Sequence, residues 1–235
     1  MPDPPELPDG ARPAWPPWHA PVALFGALGA VSVAGIPLLP VLLISDLSED
    51  AAGIALLILL LVQDSLLVVA ALILASSKLR LRPWHFGIRA TRLWPTIGWT
   101  ALAFALMLGF EFGYIELLQV DTTNVEELGE HSLIAGFAVA TAVIVVAPVA
   151  EEIFFRGFMF AGIRSHGSFV IAALVSSGVW GLFHYTGEGS WPVVLQLSLF
   201  GLILCAVYER TGSIRPTIAL HMLNNAIAFA VLTSG

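Results

Sequence analysis

Between residues 22 and 233 the chain passes through seven apolar runs, at 22–44, 51–76, 95–118, 132–163, 168–185, 191–208 and 216–233. A helix needs about 20 apolar residues to cross about 30 Å of hydrocarbon. The first four runs plainly reach that length, and the last three stand near its lower limit. Barrel strands would alternate apolar and polar residues, so uninterrupted runs leave helices as the only spanning form. The predicted fold class is all-α: a polytopic transmembrane helix bundle of about seven spans, with any polar site held in a cavity within the membrane.

Composition agrees and narrows the function classes. The chain is 57% hydrophobic and 11% charged, with mean hydropathy +0.87, whereas soluble domains carry about 25% charged residues. That excludes a disordered chain and an ordinary soluble enzyme. The single cysteine, Cys205, permits no intrachain disulfide and reads as a small buried apolar residue. Ten basic residues spread over 235 positions do not make a nucleic-acid surface.

Residues 1–21 differ from the rest. They hold eight of the 15 prolines, and proline removes backbone donors, so a disordered tail is expected. No basic segment precedes an apolar stretch, so the tail is not read as a signal peptide. Trp15 and Trp18 read as anchors at the membrane interface. Residues 22–235 form the helical domain. Numbered alternately, the spans leave Arg12, Lys78, Arg80, Arg82, Arg89, Arg92, Arg164, Arg210 and Arg215 on one side. Asp46, Glu49, Asp50, Asp121, Glu126, Glu127, Glu130 and Glu188 fall on the other. The positive-inside rule then gives a cytoplasmic N-terminus and an outer C-terminus. The basic, aromatic stretch 78–94 reads as a cytoplasmic loop lying on the surface.

An ionisable group within a span is costly and faces the bundle interior. The informative residues are therefore Asp64, Glu111, Glu116, Glu151, Glu152, Arg156, His184, His221 and Asn225, with Asn224 beside the last. Glu152 and Arg156 stand four apart and can pair on one helix face. Glu151 is turned about 100° away, without a local cation, and is the candidate base. His221 and Asn225 again share a face. Asp64 reads as an interhelical hydrogen bonder. Glu111 lies between Gly109 and Gly113 on a close-packing face, and Glu116 near the outer boundary. Pro148 predicts a kink in the fourth span. Only if that span is one long helix can Glu151, His184 and His221 meet, in the inner half to the middle of the membrane.

A carboxylate and a histidine can activate water while a second histidine and an amide hold an oxyanion, a set suited to amide hydrolysis. Glu151, His184 and His221 could equally ligate a divalent metal such as zinc, leaving a position open for water. The sequence leaves both mechanisms open. There is no H-E-x-x-H metal helix, no G-x-G-D pair and no phosphate-cradling glycine loop. Ser176-Ser177-Gly178 lacks the leading glycine of a rhomboid-type serine motif.

The run Glu151-Glu152-x-x-x-Arg156, then Trp180-Gly-Leu-Phe-His184, then His221-x-x-x-Asn225 resembles the successive motifs of the CPBP family. These are the CAAX protease and bacteriocin-processing intramembrane endopeptidases, also called Abi. The resemblance spans about 85–230, with HFGIR at 85–89 as a weaker upstream feature. It implies that Glu151 and His184 activate water, that His221 and Asn225 hold the oxyanion, and that Glu152 and Arg156 shape the site. It further implies a peptide or membrane-anchored protein substrate, CAAX-type or leader-peptide processing, and a prokaryotic cell membrane. Two rival readings are a non-catalytic scaffold or immunity protein, and a proton-coupled transporter using Asp64, Glu111 and Glu151.

Overall fold

A computed structural model describes residues 15–35, 49–118 and 133–233. Seven helices follow one another: α1 His19–Gly35, α2 Glu49–Ser76, α3 Leu93–Leu118, α4 over 133–164, α5 Phe169–Phe183, α6 Trp191–Thr211 and α7 Ile214–Thr233. No strand occurs among the described residues. Four stretches are long and apolar enough to cross a membrane: Leu57–Ser76, Leu93–Phe110, Gly136–Arg164 and Glu188–Thr211. His19–Val33 and Phe169–Phe183 are apolar but shorter. Helix α7 carries Arg215, His221, Asn224 and Asn225, and these polar residues dilute its apolar run.

Helix α4 is the element on which the site depends. It is continuous, and Pro148 does not end it. Instead the ladder widens into π turns at Ala142–Val146 and Glu152–Phe160. The Ala147 N–H reaches back to the Ala142 carbonyl, five residues away. In that register the Val143 carbonyl would look to the nitrogen of Pro148, which carries no hydrogen. Asn225 of α7 supplies the missing donor, its Nδ2 lying 2.9 Å from the Val143 oxygen.

Around α4 the interior is aromatic. Phe154, Phe155 and Phe158 are fully buried with Trp180 of α5, Phe200 and Leu204 of α6, Leu67 and Ala71 of α2 and Met107 of α3. The outward faces are apolar too: Phe25, Ile73, Phe137, Leu174 and Leu195 are all exposed. Water would not tolerate such a continuous apolar exterior, but lipid does. Helices α5 and α6 approach closely, because a Cβ on Gly181 would fall 2.5 Å from the Val194 carbonyl. Small residues at such a crossing let backbones touch without a hydrophobic drive from water.

One end of the bundle is locked by a strap of chain. After a short 3-10 turn at Pro83–Phe86, Gly87 takes a left-handed conformation (φ 73) with its Cα against the Tyr208 ring. Its carbonyl accepts from the Ile214 amide at 3.0 Å. Arg89 donates through Nε to the carbonyl of Gly212, the left-handed residue that closes α6. Its own carbonyl accepts from the Ser213 hydroxyl at 3.0 Å. Gly157 of α4 leaves room for the Phe86 backbone; a Cβ there would lie 2.7 Å from the Phe86 oxygen. The stretch 78–94 is therefore not wholly a surface loop, since His85 and Phe86 are buried. Trp84, Leu93 and Trp94 do remain exposed.

The strap is in turn clamped by Trp15. That side chain is only 1% exposed, stacks on Phe86 and Phe158 at 5.3 Å, and donates its indole N–H to the Phe158 carbonyl. So Trp15 is a core residue rather than an interfacial anchor, and residues 15–21 are folded rather than tail. Ring stacking and a buried acceptor hold it more firmly than an interface could. Trp18 is exposed, as an anchor should be. Residues 1–14 of the expected tail, the acidic stretch at 119–132 and the end of the first apolar run at 36–44 lie outside the described residues, as do the side chains of Glu111 and Glu116.

Candidate active site

Glu151 closes the short α-helical turn Ala147–Glu151, and the wide turn begins at Glu152. Both carboxylates point into the bundle. Glu152 and Arg156 form a fully buried ion pair with Arg156 Nη1 2.8 Å from Glu152 Oε1. The guanidinium also lies over the Trp180 ring, 4.5 Å from its centroid, and Nη2 reaches the Gly201 carbonyl at 3.4 Å. A buried pair of this kind is held by these extra partners rather than by its Coulomb energy alone. Glu152 Oε2 and Arg156 Nε have no hydrogen-bond partner among the described residues.

His221, two turns into α7, bridges the two acids. Its Nδ1 lies 3.2 Å from Glu152 Oε1 and its Nε2 lies 4.0 Å from Glu151 Oε2. A carboxylate only accepts, so the Nδ1 hydrogen is directed at Glu152. His184 caps the C-terminus of α5. Its Nδ1 is 2.9 Å from the Trp180 carbonyl, and its Nε2 stands 3.9 Å from Glu151 Oε1. A carbonyl likewise only accepts, so this ring too carries its hydrogen on Nδ1. Both imidazoles thus turn the same edge, Nε2, toward one carboxylate. Glu151 Oε2 accepts in addition from the Trp180 indole N–H at 2.5 Å.

The structure therefore brings together Glu151, Glu152, Arg156, His184 and His221. Asn225 lies one turn beyond His221 and is tied by one amide hydrogen to Val143, while Asn224 donates to its Oδ1 at 3.2 Å. The second hydrogen on Asn225 Nδ2 is left for another acceptor. Asp64 of α2 is buried and within electrostatic reach of Glu151. It makes no hydrogen bond among the described residues, so the expected interhelical bond is not found. Sequence reasoning gave Trp180 no role, although its spacing of four from His184 places both on one face of α5. Arg89 and Gly212 were missed as well, because their contact joins residues 123 positions apart.

The site sits deep. Glu151 is 13 residues from Arg164, about 20 Å along the helix, and His184 is 16 from Ser168, about 24 Å. His221 is only seven residues into α7, yet it reaches the same point. The reason is that the 211–214 turn is sunk beneath the 83–89 strap, with Ser213 and Ile214 buried. The constellation accordingly lies near the middle of α4 and at the C-terminal end of α5. There the His184 side chain is 32% exposed, beside the exposed apolar Leu182, Tyr185 and Trp191.

As a metal centre the donor set is chemically suitable, with two imidazole nitrogens and a carboxylate whose outer partners fix the rings. The geometry does not fit as it stands. Among the described residues no group of three or more His, Cys, Asp or Glu side chains converges to hold an ion. The serine alternative fares no better. Ser176 donates to the Phe155 carbonyl at 2.8 Å and Ser177 lies against Cys205 Sγ at 3.6 Å. Neither bonds a histidine among the described residues.

A helical membrane bundle with a buried acid–imidazole site is the class of protein defined so far. Residues 133–227 match the family model described as Rce1-like, the type II CAAX prenyl endopeptidases. The match covers α4 through most of α7, every residue of the site except Asp64, and the three motifs that carry the resemblance to the CPBP family. It supports an endopeptidase acting in the membrane on a peptide or protein substrate. Together with the four long apolar helices it marks an integral membrane protein. Comparison with curated proteins and with solved structures finds no match.

Proposed function

We propose that this chain hydrolyses a peptide bond with water activated between Glu151 and His184. The observation that carries the reading is the pair of Nε2 edges, at 3.9 and 4.0 Å, facing the two oxygens of one carboxylate. A separation of that size is too long for a direct hydrogen bond and lets one water beside the pair reach both partners. Ionised Glu151 and neutral His184 are both acceptors there. A water between them donates one hydrogen to each and keeps a lone pair free.

In the reaction that lone pair forms a bond to the scissile carbonyl carbon while Glu151 takes one proton. The tetrahedral oxyanion is met by the free amide hydrogen of Asn225 and by His221 as a second donor, its ring held by the Glu152 carboxylate. Collapse breaks the carbon–nitrogen bond, and the proton held by Glu151 passes to the leaving amine. Glu152 and Arg156 fix the ring of His221 and take no part in proton transfer. No step is routed through a metal.

The apolar rim at Leu182, Tyr185 and Trp191 supports a substrate with an apolar chain, such as a peptide ending in a prenylated cysteine. A leader peptide with a hydrophobic segment fits the same rim. The distribution of basic residues favours a membrane orientation with the strap end cytoplasmic. The test is to incubate purified protein in detergent with both peptides, with and without chelator, beside Glu151→Ala and His184→Ala. Cleavage by the wild type alone, insensitive to chelator, is expected. Cleavage by either variant at the wild-type rate rules the mechanism out, and loss on chelation reinstates the metal route.

A further inference from the structure

Trp180 is fully buried and contacts Glu151, Arg156, His184 and His221. Its indole N–H donates to Glu151 Oε2 at 2.5 Å. Its face carries the Arg156 guanidinium at 4.5 Å. Its ring meets the rings of His184 and His221 edge-on, with centroids 5.4 and 5.2 Å apart. Its carbonyl takes the Nδ1 hydrogen of His184.

That carbonyl is free for a structural reason. Helix α5 ends at Phe183, and the His184 amide turns back to the Gly181 carbonyl at 3.0 Å rather than to Trp180. The last carbonyls of a helix lack intrahelical donors, and the side chain of His184 fills this one. The indole has room because Gly201 lies beneath it; a Cβ on Gly201 would come within 3.1 Å of the Trp180 ring.

We propose that Trp180 is the positioning residue of the site. It fixes the rotation of the Glu151 carboxylate through the indole N–H and the tautomer of His184 through its carbonyl. A terminal carboxylate torsion is broad and sets no orientation by itself. With Oε2 bound to the indole, Oε1 is the oxygen presented to His184 Nε2. With Nδ1 bound to the carbonyl, Nε2 is the nitrogen presented to Oε1. One residue thereby sets both walls of the water gap. This inference rests on the peptidase reading for its consequence, but not for its geometry.

The experiment uses the full chain in detergent micelles and Trp180→Phe, which keeps an aromatic ring in place while removing the indole donor and part of the ring volume. With a quenched prenyl-cysteine peptide as the probe, kcat falls about tenfold to a hundredfold, as expected for loss of one charge-assisted hydrogen bond. KM stays at the wild-type value, and the thermal unfolding midpoint falls modestly with the lost buried volume. In ¹⁵N-labelled protein the indole resonance that disappears in Trp180→Phe shifts upfield in Glu151→Gln. An unchanged kcat in Trp180→Phe overturns the proposal, and so does an indole resonance indifferent to Glu151→Gln. If the wild type cleaves no peptide, the peptidase reading falls and the resonance alone decides: a shift sustains the positioning contact, and no shift removes it.

Discussion

Helix α4 follows opposite packing rules at two points six residues apart. At the strap, Gly157 lies so close to Phe86 that no Cβ fits, and the glycine-bearing turns at 87 and 212 are bonded to each other's neighbours. At the other point, Glu151 faces two imidazoles at about 4 Å, beyond direct hydrogen-bond distance. One point excludes a methyl group while the other leaves a carboxylate and two imidazoles short of direct hydrogen bonds. Such a spacing keeps its width only if something else holds the helices, and the strap does so from about two turns away.

Breaking the open point should have the largest effect on chemistry and a small one on the fold. Glu151→Ala and His184→Ala are each expected to lower peptide cleavage by about 10²–10⁴-fold, the range of a positioned acid–base group. The proteins should still insert and show wild-type unfolding midpoints. Breaking the closed point reverses the pattern. Gly157→Ala forces a methyl against the Phe86 carbonyl and should destabilise by about 1–3 kcal/mol, read from denaturant unfolding in mixed micelles. Residual activity should track the folded fraction.

Asn225→Ala probes the join between the two regimes. It orphans the Val143 carbonyl and should cost about 1 kcal/mol in unfolding, beyond any loss in kcat. The smallest effect sharpens the contrast by its absence. Arg164 and Glu209 form a half-exposed ion pair at 2.9 Å on the strap side. Arg164→Ala should change stability by about 0–1 kcal/mol, less at high salt, and leave cleavage untouched.

Much of this arrangement is legible in the amino-acid order. Apolar length marks the helices to within a few residues, because the cost of unpaired backbone in lipid leaves no alternative. The acids and histidines stand out because each is expensive where it sits. Even the need for one long α4 follows from the separation of Glu151 and His184. What the order hides is contact between distant segments. Nothing local distinguishes Trp15 from Trp18, yet one is core and the other surface. Pro148 signals a kink, but the donor that meets the Val143 carbonyl in the first wide turn, Asn225, reaches in from α7. Gly87 and Gly212 read as ordinary turn residues until the Arg89 clamp joins them. Trp180 stands in the motif that ends at His184, but nothing in the sequence shows its N–H ending on a carboxylate.

The buried Arg156 has a consequence for how the protein is made. Glu151, Glu152 and Arg156 fall within six consecutive positions of α4. A lone charged residue at a helix centre costs about 2.5–3.5 kcal/mol on insertion into the bilayer. Nascent α4, although apolar enough overall to cross, carries that cost uncompensated until Trp180 and Gly201 arrive from α5 and α6.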